Sequence, residues 1–144
     1  MANIGTTLRP TQHRRTEERD HDTVRRSTAV MALIGVAVIH LMDLPGKYGE
    51  VPYLGVMFVG LIAVCLVLAV VLIRHDDAMA WLAGGALAAA TIVGYTLSRT
   101  VGLPGEHGEE IGNWGEGIGL ASLLIEGLLV WLAVSRLRER SEAA

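Results

Sequence analysis

Apolar residues come in four long runs that are separated by short polar stretches. The runs extend from about Thr28 to Leu44, from Pro52 to Ile73, from Ala78 to Thr100 and from Trp114 to Val134. Each run approaches the roughly 20 residues that cross a bilayer core as an α-helix, the structure that satisfies every backbone polar group internally. The pattern therefore predicts four membrane-spanning helices. The first is the shortest and has His40 and Asp43 near its end.

The overall composition favours the same class of protein. Hydrophobic residues make up 51% of the chain and the mean hydropathy is +0.43, whereas a water-soluble domain of this size must cover its surface with polar groups. Most charges lie in residues 1–26 and 135–144. Because the basic residues lie in tails and not on a folded face, we expect the bilayer as a partner and no nucleic acid. The bias towards Ala, Gly, Val and Arg suggests a bacterial source.

The positions of Lys and Arg predict the orientation in the membrane. Six arginines precede the first run, Arg74 follows the second, and three arginines follow the fourth. The two loops on the other side have only Lys47, with Arg99 at a helix end. By the positive-inside rule, both termini and the middle loop are cytoplasmic. The first run follows a long segment of mixed charge, which favours an uncleaved span over a signal peptide. We therefore expect a multi-pass protein of the cell membrane.

A short motif occurs twice. LPGKYGE at residues 44–50 and LPGEHGE at residues 103–109 agree at five of seven positions, at an offset of 59 that also aligns His40 with Arg99. Proline does not continue a helix and glycine permits positive φ, so each copy is predicted to be a turn between two helices. The match indicates a duplicated helical hairpin, with the two copies parallel and related by an axis along the membrane normal.

The predicted fold is an all-α, four-helix integral membrane bundle made of two parallel helical-hairpin repeats. Residues 1–26 are expected to be a charged cytoplasmic tail that is disordered or lies at the surface, where its arginines can touch anionic lipid headgroups. The first transmembrane hairpin is expected at residues 27–75 and the second at residues 76–136. Residues 137–144 form a second cytoplasmic tail.

Glu126 lies near the middle of the fourth apolar run. An unpaired carboxylate at that depth costs several kcal/mol, so we expect it to be protonated, hydrogen-bonded or paired. Gly115, Gly119, Ser122 and Glu126 share one helix face, and the third run has a similar seam of Gly84, Ala88, Thr91, Tyr95 and Ser98. We expect these seams to face each other or a neighbouring subunit. Glu126 with Tyr95 and Ser122 is either a structural polar core, with Glu126 bonded to Tyr95 or Thr91, or a proton or cation relay.

A second polar group is predicted at the extracytoplasmic side, formed by His40, Asp43, Arg99 and Glu116. An ion pair between Asp43 and Arg99 would carry both charges near the membrane edge. Asn113 and Glu116 have the spacing of a capping box at the start of the fourth helix. The alternative for the same region is a site for a divalent metal on His40, Asp43 and His107, because imidazole and carboxylates bind zinc and copper.

Two functions remain open on the sequence. The chain has no GxSxG, HExxH or P-loop signature, and its single cysteine, Cys65, forms no intrachain disulfide. These features favour a non-enzymatic accessory or binding subunit with a polar cluster at the extracytoplasmic side. The alternative is an oligomeric proton- or cation-coupled transporter that uses Glu126. Either function implies a homo-oligomer or a partner membrane protein.

Overall fold

The computed structural model describes residues 10–106, 108 and 110–142. These residues form four α-helices and no strand: α1 (Pro10–Glu50), α2 (Pro52–Arg74), α3 (Ala78–Thr100) and α4 (Gly117–Glu142). All four are long and apolar enough to cross a membrane. The predicted all-helical chain with four membrane-span-like helices is therefore confirmed, and the composition is that of a multi-pass membrane protein.

Local chemistry explains where α2 and α3 begin. Pro52 is the first residue of α2, and the preceding Val51 is extended, with φ −141° and ψ 90°. A residue before proline is excluded from the helical region by contact with the proline ring, so the chain reverses at Val51. The Asp77 side chain caps α3 by accepting a hydrogen bond of 2.9 Å from the amide of Ala80.

The helices form a ring in chain order. The packing is most extensive between α1 and α2 and between α3 and α4, α1 also contacts α4, and α2 and α3 touch least. The chain reversals after α1 and after α3 lie at the same end of the bundle. There the Lys47 ammonium donates to the Glu110 carboxylate at 2.8 Å, and the Tyr53 hydroxyl donates to the Pro104 carbonyl at 2.7 Å. We call this end, with Lys47, Tyr53, Pro104 and Glu110, the outer end.

The half of the bundle away from the outer end is filled by apolar side chains. Leu33, Leu72, Trp81 and Leu129 are at most 2% exposed. The Trp81 indole donates to the Asp76 carboxylate at 2.6 Å. This hydrogen bond ties the buried Trp81 to the α2–α3 connection.

The opposite end, which we call the inner end, is closed by ion pairs around Asp76. Asp76 accepts from Arg136 and from Arg140, the latter at 2.8 Å, and Arg136 also lies 3.4 Å from the Asp22 carboxylate. Partial burial alone would raise the pKa of Asp76, but hydrogen bonds from Arg136, Trp81 and Arg140 outweigh it and hold that pKa well below its usual range. The inner end thus joins α1, the α2–α3 connection and α4.

Helix α1 extends beyond the expected first span at both ends. From Pro10 onward the charged tail, expected to be disordered or to lie at the surface, is helical and belongs to α1, while residues 1–9 lie outside the described residues. The first copy of the motif, LPGKYGE, was predicted to be a turn, but it is helical to Glu50 with Pro45 inside the helix. The chain reverses only where Pro52 forces Val51 out of the helical region.

Candidate functional site

A cavity of about 740 Å³ lies between the four helices in the outer half of the bundle. Its helical lining comes from residues 39–47 of α1, 53–64 of α2, 87–99 of α3 and 118–126 of α4, and most of the lining is apolar. Sites for small molecules have this character, at about 300–1,000 Å³ with a few polar groups among apolar walls. Because the inner half is packed, the cavity ends near the middle of the bundle.

Glu126 lies at this closed end of the cavity and is only 1% exposed. Its carboxylate accepts a hydrogen bond of 2.9 Å from the Ser122 hydroxyl. Among the described residues, no basic nitrogen lies within 4.0 Å of it. A buried carboxylate without a basic partner needs a proton or a cation to neutralise it.

The expected hydrogen bond from Tyr95 or Thr91 to Glu126 does not form. The Thr91 hydroxyl donates to backbone carbonyls of its own helix, at 2.8 Å from that of Ala88. Thr and Ser side chains in helices can donate to a backbone carbonyl of the preceding turn instead of to another side chain. Because Thr91 does so, the donor to Glu126 is Ser122, one turn before it on α4.

Tyr95 places a hydroxyl in the cavity, and this hydroxyl has no hydrogen-bond partner in the part of the chain that the structure describes. Its ring lies against Gly119 so closely that a Cβ built on Gly119 would be 2.8 Å from the hydroxyl oxygen, an approach that only glycine permits. Tyr95 and Gly119 thus form one contact between the α3 and α4 seams, whereas Gly84 of the α3 seam lies nearest Leu33 of α1. The hydroxyl is buried without a hydrogen bond, which costs about 1–3 kcal/mol. A molecule in the cavity can satisfy it.

Arg99 organises the outer end. It is 5% exposed, its guanidinium pairs with the carboxylates of Glu110 and Glu116, and it lies over the Tyr95 ring at 4.9 Å from the centroid. The predicted ion pair between Asp43 and Arg99 is therefore wrong, because the segment after α3 folds back and brings two other carboxylates to Arg99.

The predicted capping box at Asn113 and Glu116 is also wrong. The fourth helix begins at Gly117, so Glu116 precedes its first residue instead of lying in its first turn. The Glu116 carboxylate is engaged by Arg99. Arg99 offers this carboxylate a charged donor in place of a neutral backbone amide, and an ion pair between two charged groups is the stronger contact.

Lys47 is a member of this site that the sequence did not identify. Its ammonium lies 2.8 Å from the Glu110 carboxylate, 3.6 Å from that of Glu106 and 3.2 Å from that of Glu50. It reaches the segment after α3 because α1 remains helical past Pro45. The only signal in the sequence is that Lys47 is the one basic residue between the first two apolar runs.

The charges around the cavity are unequal. Among the lining residues that the structure describes, five carboxylates accompany two basic side chains: Asp43, Glu106, Glu110, Glu116 and Glu126 against Lys47 and Arg99. Both basic groups are already paired with acids of the outer end. Asp43 forms no ion pair within 4.0 Å in the described part of the chain. The cavity thus has an excess of negative charge.

His40 lies on the cavity wall but is held within its own helix. Its Nδ1 is 2.9 Å from the Val36 carbonyl, so Nδ1 carries the hydrogen, and its ring packs edge-on against Phe58 with centroids 4.8 Å apart. Within residues 10–106, 108 and 110–142, no group of three or more His, Cys, Asp or Glu is arranged to hold a metal. His107 lies outside the described residues, so the metal site on His40, Asp43 and His107 stays a prediction.

Neither a protein-family model, nor a curated protein, nor a solved structure matches this chain. The chemistry of the cavity and of the residues around it therefore carries the functional conclusion.

Proposed function

We propose that this chain is a non-enzymatic membrane protein that binds a small cationic molecule in the cavity of its outer half. The observation that carries the proposal is Glu126, a carboxylate that is 1% exposed and lies at the end of a largely apolar cavity. Among the described residues, its only side-chain partner is Ser122. In such surroundings, the attraction between a carboxylate and a cation is much stronger than in water.

The other charges around the cavity favour a cation over an anion or a neutral molecule. Lys47 and Arg99 are both engaged by carboxylates, which leaves Asp43 and Glu126 as acids without an ion pair among the described residues. A cleft lined by one sign of charge between walls of low dielectric concentrates ions of the opposite sign. The Tyr95 hydroxyl adds one hydrogen-bonding group that no other described residue engages.

The membrane setting of this site belongs to the proposal. A multi-pass protein of the cell membrane with both termini cytoplasmic is supported by the arginines that flank the first and fourth helices. With that orientation, the outer end and the cavity lie on the extracytoplasmic side. Binding then takes place in the outer half of the bilayer.

The duplicated hairpin is also part of the proposal. It is supported by the repeated motif, by the close packing of α1 with α2 and of α3 with α4, and by the position of both chain reversals at the outer end. The aligned residues His40 and Arg99 both line the cavity. Two copies that diverged would then form one binding site from unequal halves.

The test is a titration of the purified chain in lipid nanodiscs with methylammonium and, separately, with tetraphenylphosphonium. We expect Glu126→Gln to bind at least about thirtyfold more weakly, because removing one member of a buried charge pair costs about 2 kcal/mol or more. The unfolding temperature should stay the same or rise, since the Gln oxygen still accepts from Ser122 and no charge is buried. Equal binding in both proteins would overturn the proposal, as would an absence of binding.

A second candidate is a proton- or cation-coupled transporter, most simply as a homo-oligomer or with a partner membrane protein. The observation that favours it is the continuity of the cavity, which Glu126 in mid-bundle and Glu116 at the outer end both line. Transport would require the packed inner half to open. Proton uptake into liposomes tests it: uptake by the chain that is lost in Glu126→Gln supports transport, and equal uptake in the two proteins rejects it.

A further inference from the structure

We infer that the cation bound at Glu126 is an apolar organic cation that reaches the cavity from the lipid, through the gap between α2 and α3. This inference rests on the proposed cation-binding function and adds the class of ligand and its route.

The size and lining of the cavity point to an organic ligand. A water-sized ion occupies about 30 Å³, a small part of the 740 Å³ that the cavity provides. Leu61 of α2 and Leu87 of α3 contribute to the apolar wall, and Phe58 presents its ring beside His40. Apolar walls of this kind gain free energy by contact with an apolar group and gain nothing from a hydrated ion. A molecule with one positive charge and a large apolar part fits both Glu126 and the walls.

The outer end is covered by polar contacts. The segment of residues 101–116 is fixed to α1 by the ion pairs of Lys47 with Glu106 and Glu110, and to α2 by the hydrogen bond from Tyr53 to Pro104. Arg99 fixes the same segment to α3. A ligand that came from water at this end would have to break these contacts.

The side of the bundle between α2 and α3 has no comparable closure among the described residues. These two helices touch least of the neighbouring pairs. Gly60 of α2 and Gly94 of α3 both line the cavity, and a Cβ built on either one meets no atom within 4 Å. At 1.5 Å per residue, Gly60 lies about 12 Å along α2 from Pro52, and Gly94 about 9 Å along α3 from Thr100. The open space is therefore at a depth where hydrocarbon, and not water, surrounds the helices.

The route is tested by filling this space with side chains that the helices tolerate. The double variant Gly60→Phe/Gly94→Phe places two rings in the gap. Gly127→Phe is the matched control, because Gly127 of α4 also has no atom within 4 Å of a built Cβ and is not part of the cavity wall. Association and dissociation of tetraphenylphosphonium are followed in phosphatidylcholine nanodiscs, with Glu126→Gln in the same nanodiscs as the background for partition into lipid.

We expect both rates to fall roughly tenfold or more in the double variant, which corresponds to about 1.4 kcal/mol in the barrier, and to stay unchanged in Gly127→Phe. Unchanged rates in the double variant would overturn the lateral route. A lower affinity with an unchanged association rate would also overturn it, because the rings would then occupy the cavity without obstructing access.

The class of ligand is tested by comparing the two cations in the unmodified chain. We expect tetraphenylphosphonium to bind at concentrations at least a hundredfold below those that methylammonium needs, with both cations depending on Glu126. At 1.4 kcal/mol per tenfold change, this difference corresponds to about 2.8 kcal/mol from additional apolar contact. Binding of methylammonium without binding of tetraphenylphosphonium would overturn the ligand class and leave the proposed function standing. Failure of both cations to bind would instead overturn the proposed function.

Discussion

LPGKYGE at residues 44–50 forms the end of α1. In its near-copy LPGEHGE at residues 103–109, the residues that the structure describes, 103–106 and 108, follow α3 outside any helix. In the second copy, the amide of Glu106 donates to the Leu103 carbonyl at 3.0 Å and Gly105 has φ +86°. With Pro104 before that glycine, this is a type II β-turn. In the first copy, the same three letters Leu-Pro-Gly continue a helix.

The difference lies in the residues that flank the motif. Gly102 stands immediately before the second copy with φ +78°, and its amide donates to the Leu97 carbonyl at 3.0 Å. Glycine in this conformation ends helices. The aligned residue before the first copy is Asp43, which remains helical, and the helix stops only before Pro52. The Leu-Pro-Gly sequence that both segments share thus takes its structure from the residues around it.

The structural difference between the two motifs produces the outer end of the site. The helical first copy carries Lys47 on α1, and the looped second copy supplies Glu106 and Glu110, to which Lys47 is paired. Two identical turns would not present a base on one side and acids on the other in this way. Substitutions at pairs of aligned positions test this structural difference between the two motifs.

The largest effect is expected at Arg99 and its counterpart His40. Arg99→Ala leaves Glu116 without its cation and leaves Glu110 with Lys47 alone. It should destabilise the chain by about 2–3 kcal/mol, below the range for fully buried pairs because Glu116 is partly exposed. His40→Ala removes one edge-on ring contact with Phe58, worth about 1 kcal/mol. Denaturant unfolding in detergent measures both, and equal losses would show that the two copies contribute alike.

A smaller effect is expected at Gly102 and its counterpart Asp43. Gly102→Ala forces an L-residue into positive φ and should lower the stability by about 1–2 kcal/mol. Asp43→Ala, in a helix, should change the stability by less than about 0.5 kcal/mol, since Ala has the higher helix propensity. Thermal unfolding of the two variants tests the role of the residue before the motif. A costly Asp43→Ala with a neutral Gly102→Ala would refute it.

The two prolines of the motif should respond with opposite signs. Pro45 lies inside α1, where it lacks an amide and crowds the preceding turn, so Pro45→Ala should stabilise by about 1 kcal/mol near this helix end. Pro104 precedes the positive-φ glycine of a β-turn, so Pro104→Ala should destabilise by about 0.5–1 kcal/mol by making the unfolded chain more flexible. Changes of the same sign in the unfolding temperature would contradict the assignment of helix and turn.

The inner end, which has no copy of the motif, provides a reference with the smallest effect. The pKa of Asp76 is held below its usual value, so its contribution to stability is present above about pH 4, the ordinary carboxyl value, and is lost as the pH falls towards the depressed pKa. The side chain is 30% exposed, so the loss should stay below about 1 kcal/mol. Asp76→Asn should lack this acid-dependent part in unfolding experiments between pH 7 and pH 3. If Asp76→Asn loses as much stability between pH 7 and pH 3 as the unmodified chain, other titratable groups cause the loss.

The features set by local chemistry were predictable from the sequence. The expected second and third spans agree with α2 and α3 because Pro52 and Asp77 mark helix starts through their own side chains. The burial of Glu126 followed from its position in an apolar run. The helical state of LPGKYGE was not predictable from the motif, since Pro and Gly suit both a turn and a helix end.

Features that depend on the packing of distant segments were not predictable. The partners of Arg99 are decided by where residues 101–116 fold back, and no spacing in the sequence encodes that path. The cavity is likewise a result of four helices that pack closely in one half and loosely in the other. The unpaired state of Tyr95 follows from its contact with Gly119, which only the packed structure brings together.

The central claim is that a cation neutralises Glu126 inside the cavity. Dicyclohexylcarbodiimide, which modifies carboxyl groups in apolar surroundings, tests this directly when the labelled residue is identified by mass spectrometry in nanodiscs. We expect Glu126 to be labelled, and we expect rising concentrations of tetraphenylphosphonium or methylammonium to suppress the labelling at this residue progressively. Labelling of Glu126 that stays constant at saturating concentrations of both cations would contradict it.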